Sequence, residues 1–131
     1  MRVTIPVTPE GGIEARFGRA PLMAVATVDD GEITDWAVEN VQWDLLHDQG
    51  EHGLHHARIV RFMRDFGIER VGFAHMGPPM IQTLFKLGMV LVQVDPAMDA
   101  RDAVRGIAAL QVRDPGASGD DLDDDDPDEA A

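Results

Sequence analysis

Four of the five histidines fall within one ten-residue stretch, His47-Asp48-Gln49-Gly50-Glu51-His52-Gly53-Leu54-His55-His56. Imidazole is the commonest protein ligand for transition metals and titrates near neutral pH. With a helix starting near Gly53, His52 and His56 stand four apart and His52 and His55 three apart, on a shared face. That spacing can chelate one metal ion. It equally describes a polar helix start whose histidines bind nothing, and spacing alone leaves both readings open. His47 lies on the incoming loop and is taken as a bystander.

Composition narrows the chemistry. With no cysteine among the 131 residues, disulfides, thiolate zinc sites and cysteine-held iron–sulfur clusters are excluded. The formal charge of −13 is unevenly placed: nine acidic residues and no basic one follow Arg113, and removing them leaves −4 for residues 1–113. Nucleic-acid binding through a basic surface is therefore not expected. No apolar run reaches membrane-spanning length and the N-terminus does not read as a signal peptide, so a cytoplasmic protein is expected. The segment 113–131, centred on Asp120-Asp121-Leu122-Asp123-Asp124-Asp125-Asp126, reads as an acidic disordered tail behind a domain over 1–112.

Hydrophobic periodicity gives the elements that must position the histidines. Arg2–Val7 is a β-branched strand, followed by a glycine-containing loop over 8–19. Leu22–Val28 is a near-continuous apolar strand, turned at Asp29-Asp30-Gly31-Glu32 into Ile33–Glu39, whose mixed polarity suits an edge. Ile59, Phe62, Met63 and Phe66 then mark a helix stopped by Gly67. A strand within Ile68–Ala74 follows, then a helix opened by Pro78-Pro79, with Met80, Ile81, Leu84 and Leu87 inward and Gly88 at its end. Met89–Val94 is a fifth strand, and Asp99 caps a last helix with Ala103, Val104, Ile107 and Leu110 as its inner face. The order βββαβαβα, with right-handed crossovers, points to an α/β fold: a mixed five-stranded sheet in the order 3-2-1-4-5 with helices on both faces. That is the ribonuclease H-like arrangement.

This topology brings three segments to one sheet edge: the 8–19 loop, the histidine-rich start of the first long helix, and His75-Met76-Gly77-Pro78. Ligands of open α/β sheets bind at that edge. His75 thus joins His52, His55 and His56 as a candidate metal ligand, and Arg16 and Arg19 can pair with an anionic ligand. Enzyme readings do poorly. There is no cysteine nucleophile, no Gly-x-Ser-x-Gly elbow and no phosphate-binding Gly-Lys-Ser/Thr loop. Strand Arg2–Val7 carries no carboxylate of the kind a two-metal nuclease needs.

Several motifs in order resemble the dinitrogenase iron–molybdenum cofactor biosynthesis family. They are Met1-Arg2-Val3-Thr4-Ile5-Pro6-Val7, the box Phe17-Gly18-Arg19-Ala20-Pro21, the hairpin Asp30-Gly31-Glu32-Ile33, Glu39-Asn40, His52-Gly53 and Met76-Gly77-Pro78. The resemblance spans about residues 1–110. It implies a ribonuclease H-like fold and non-enzymatic binding of metalloclusters or their precursors. It also implies a cofactor-binding edge at His52, Phe17-Gly18-Arg19 and Met76-Gly77. This chain has Arg16 where the family often has histidine, and it lacks the cysteines of some members, which leaves room for another metal or an anionic cofactor.

The expectation is a non-enzymatic metallocofactor carrier. His52, His55, His56 and His75 would be its metal ligands, and Phe17, Gly18, Arg19, Arg16, Met76 and Gly77 its cofactor-binding residues. Its cargo would be a metal ion or an iron- or molybdenum-containing cluster. Its partners would be cluster-assembly proteins, without nucleic acid or membrane, and it would be a monomer or weak homo-oligomer. The alternative is an interaction or regulatory module that uses the same edge with no bound metal.

Overall fold

The structure, a computed structural model, describes residues 1–46 and 52–112, with His52 described by its backbone alone. The elements are β1 (Arg2–Val7), β2 (Leu22–Asp29), β3 (Glu32–Asn40), α1 (Trp43–Leu46), α2 (His52–Asp65), β4 (Arg70–Phe73), α3 (Pro78–Lys86), β5 (Val90–Gln93) and α4 (Ala100–Ala109). The strands form one mixed sheet in the order β3-β2-β1-β4-β5. β1 and β3 run antiparallel to β2, whereas β4 runs parallel to both β1 and β5. The carboxyl ends of β1, β3, β4 and β5 therefore share one edge. The acidic segment 113–131, expected to be a disordered tail, lies outside the described residues, as does His47.

Both faces of the sheet are covered, which is why β1 is buried from Val3 to Val7. On one face Val3, Ile5, Val7, Ala24 and Ala26 pack against Ala103, Val104 and Ile107 of α4. On the other, Met23, Val25, Val71 and Phe73 meet Ile59, Phe62 and Met63 of α2 and Met80 and Leu84 of α3. The β2–β3 hairpin turns at Asp30 and Gly31, with φ of 52° and 80°, which fits the twist of a two-residue hairpin. Gly67 (φ 63°) ends α2, with Ile68 N–H donating to the Met63 carbonyl at 2.9 Å.

Two inner-face expectations are corrected. Leu87 and Leu110 sit at helix C-caps, not within the helices, and are 43% and 47% exposed. Each helix ends one residue before the periodic pattern does. The four-residue α1 has no sequence period to reveal it.

Gly72 on β4 sits against the side chains of Ile107 and Ile5. A Cβ there would stand 2.6 Å from Ile107 Cδ1 and 3.0 Å from Ile5 Cδ1. A Gly72→Val substitution is expected to cost about 1–3 kcal/mol by overpacking, read as a lower urea midpoint. Stability unchanged within error would show that α4 can move away freely.

Candidate functional site

The Phe17-Gly18-Arg19-Ala20-Pro21 box ties together the three segments that reach the carboxyl edge. Phe17–Arg19 is a 3-10 turn. Phe17 N–H donates to the His75 carbonyl and His75 N–H to the Ala15 carbonyl, both at 3.0 Å, joining the box to the segment after β4. The Ala20 carbonyl accepts from Trp43 N–H at 3.0 Å, and the Pro21 carbonyl from Val41 and Gln42 N–H at 3.1 Å, joining it to the segment after β3. Gln42 adopts a left-handed φ of 54° to make this turn. Such a conformation is uncommon outside glycine, asparagine and aspartate; here it is held by the paired bonds to Pro21.

The third tie is His55. Its side chain is only 3% exposed, and Nε2 lies 2.8 Å from the Gly18 carbonyl oxygen. A carbonyl can only accept, so Nε2 carries the proton. Nδ1 then offers a lone pair, and Arg58 Nη1 lies 3.3 Å from it. Arg58 Nη1 also donates to the Leu46 carbonyl at 3.0 Å. Rings lock this arrangement from below. Trp43 packs edge-on against His55 at 6.3 Å and against Phe62 at 5.5 Å, and is tilted on Phe17 at 5.8 Å. Both imidazole nitrogens of His55 thus serve the scaffold, and coordinating a metal would require one of them to leave its partner.

Above this scaffold lies a cleft of about 240 Å³, lined by Phe17, Gly18, His55, His56, Ile59, Met76, Gly77, Pro79 and Met80. Among the described residues its lining offers imidazole, thioether and backbone groups, and no carboxylate. His56 is half-buried on the α2 wall, one residue past His55. Met80 is buried in the core as well as lining the cleft, whereas Met76 is half-buried. Gly77 caps α3, where Pro78 and Pro79 have no N–H to offer and the N–H groups of Met80 and Ile81 turn back to the Gly77 carbonyl at 3.1 Å. The backbone N–H groups of Met76 and Gly77 have no hydrogen-bond partner among the described residues.

The structure distributes the remaining candidates unevenly. His75 is exposed and contributes its backbone to the site's frame. Arg16 is exposed, with Nε 3.9 Å from Glu14 Oε2. Arg19 is half-buried at the end of the 3-10 turn. His52 opens α2. Among the described residues no three histidine, aspartate or glutamate side chains come together to hold a metal ion. Trp43, Ile59 and Pro79 join the site without being expected there from the sequence. Ile59 and Pro79 carry signals for helix formation alone, and nothing in the spacing marks Trp43, because they act as apolar wall and as a prop.

Comparison with known proteins agrees with this geometry. No curated protein matches the chain in sequence. The solved structures that share the fold include the following three. The apo form of the orange protein from Desulfovibrio gigas superposes with a TM-score of 0.62 at 20% identity, covering 79% of this chain and 83% of that one. A candidate NifB protein from Thermotoga gives 0.61 at 17% identity, covering 86% and 97%. A candidate dinitrogenase from Methanocaldococcus jannaschii gives 0.57 at 12%, covering 82% and 86%. The family model described as dinitrogenase iron-molybdenum cofactor matches residues 1–110, a span that begins with β1, ends with α4 and contains every wall of the cleft. The chain belongs to that family.

Proposed function

We propose that this chain is a cytoplasmic, non-enzymatic carrier that holds a metallocluster or its precursor in the cleft at the carboxyl edge, in exchange with cluster-assembly proteins. The observation that carries this reading is the chemistry of the lining. Among the described residues the cleft is lined by His55, His56, Met76, Met80 and the backbone of Met76 and Gly77, whose N–H groups have no hydrogen-bond partner there, and by no carboxylate. Hard divalent cations favour oxygen ligands, whereas soft, sulfide-rich anionic species favour imidazole, sulfur and N–H donors. The donor set fits the second class. In this reading His56 and Met76 hold the cargo directly, and His55 and Phe17 position the wall. His52 stands one helical turn before His56, at the start of α2. Arg16 and Arg19 contribute at the rim, and His75 contributes through its backbone.

The test is an anaerobic titration of the purified chain with tetrathiomolybdate, and with ferrous iron plus sulfide, followed by absorbance and metal analysis. His56→Ala is expected to weaken binding about tenfold or more, while His75→Ala changes it little. The alternative module with no bound metal draws support from the imidazole of His55, whose two nitrogens both lie on protein partners. Absence of binding of either cargo by the unmodified chain would favour that alternative.

A further inference from the structure

The helix that carries His55 and His56 has a second, unrelated face. Three of the chain's 11 basic residues, Arg58, Arg61 and Arg64, occur within α2 on successive turns. Beside them a groove of about 450 Å³ runs between α2 and α1, lined by apolar Val41, Trp43, Leu46, Leu54, Phe62 and Phe66 with Arg58, Arg61 and Asp65 at its margin. A second hollow of about 390 Å³ follows along α2 between Arg61, Arg64 and Asp65. Leu54 and Leu45, on the two helices that flank the groove, are 51% and 60% exposed. Arg61 and Arg64 are exposed and form no ion pair among the described residues.

The opposite charge lies in the same chain. Residues 114–131 carry nine acidic groups and no basic one, and the run Asp120–Asp126 is interrupted only by Leu122. The path between them is short. Arg70, the first residue of β4, donates from Nη1 to the carbonyls of Ile107 and Leu110 at 2.6 and 2.9 Å. The end of α4 is thereby fixed at the amino edge of the sheet. The end of α2 reaches that same edge, where Arg2 Nη1 donates to the Phe66 carbonyl at 2.7 Å. Leu122 lies ten residues beyond Val112. Ten residues span at most about 35 Å, against on the order of 25 Å from the axis of a helix on one face of a sheet to the outer surface of a helix about 10 Å across on the other.

We propose that the acidic segment passes beneath the amino edge and docks on the arginine face of α2, with Leu122 in the apolar groove and the flanking aspartates against Arg61 and Arg64. Individual exposed ion pairs are weak, so the contact is a multivalent, salt-sensitive one. The high local concentration of a tethered segment is what sustains it. It shields the outer face of the helix whose inner face lines the cleft, and a strongly acidic partner competes for the same arginines.

The absence of cysteine makes the test clean, because Ala130→Cys gives a single attachment point for a nitroxide on the full chain. Amide resonances of 57–65 are expected to lose intensity several-fold, and those of α4 and β3 little. The loss disappears in 1 M salt, where screening acts within about 3 Å, and in the Arg61→Glu/Arg64→Glu variant. Both arginines are exposed, so the variant folds, and the salt titration of the unmodified pair of arginines stands independently of it. Uniform broadening, broadening that survives both salt and charge reversal, or broadening seen only between labelled and unlabelled copies would overturn the proposal. None of these outcomes depends on cargo binding.

Discussion

Trp43→Ala is expected to lower folding stability by about 3–5 kcal/mol, the usual cost of removing a buried large aromatic side chain. Trp43 is 3% exposed and touches Phe17, His55 and Phe62 at ring-centroid distances of 5.8, 6.3 and 5.5 Å. It is therefore the point at which the box, α1 and α2 are held together. Its backbone N–H also bonds to Ala20, but that bond survives the substitution. Urea unfolding followed by circular dichroism reads the effect as a lower midpoint at unchanged slope. A loss under about 1 kcal/mol would mean that the rings below the cleft are not a structural unit. Trp43→Phe retains part of the ring contact and should fall between the two.

The second large effect is at His55. His55→Ala removes a buried side chain and leaves the Gly18 carbonyl without its imidazole donor, and about 2–4 kcal/mol of stability should be lost. His56→Ala, one residue on, removes a half-buried side chain and should cost less than His55→Ala. The pair separates two kinds of histidine in one run. If His55 is a scaffold residue and His56 a cargo ligand, His55→Ala moves the unfolding midpoint and His56→Ala moves cargo affinity. Equal stability losses at the two positions would remove the distinction.

Much of the fold is legible in the sequence because its signals are local and redundant. Gly67 and Gly88 end helices at positive φ, Asp30-Gly31 makes a hairpin, and Asp99 accepts from Arg101 and Asp102 N–H to cap α4. The edge strand β3 betrays itself by its mixed polarity. The meeting of the 8–19 loop, the start of α2 and the segment after β4 follows from strand order alone. The roles of individual residues do not. A histidine run shows its ring nitrogens only as potential ligands, and which nitrogen faces a carbonyl depends on Gly18, which lies 37 residues away in the chain. Phe17 is expected from sequence to contact a cofactor. It is 1% exposed, and its ring is chiefly a core contact for Trp43 that also closes the cleft floor. Trp43 itself is invisible in the sequence because a four-residue helix has no period. The arginine face of α2 is hidden for a different reason: an apolar stripe identifies the helix, and the complementary stripe looks like ordinary solvated surface.

The central claim, that cargo is held in the cleft between Gly18, His56 and Met76-Gly77, is tested most directly by anomalous diffraction at the iron or molybdenum edge from crystals of the anaerobically loaded full chain. The predicted result is a peak inside the cleft, within bonding reach of His56 and beside the backbone of Met76 and Gly77. A peak at exposed His75 or on the 47–51 segment with the cleft empty would contradict it.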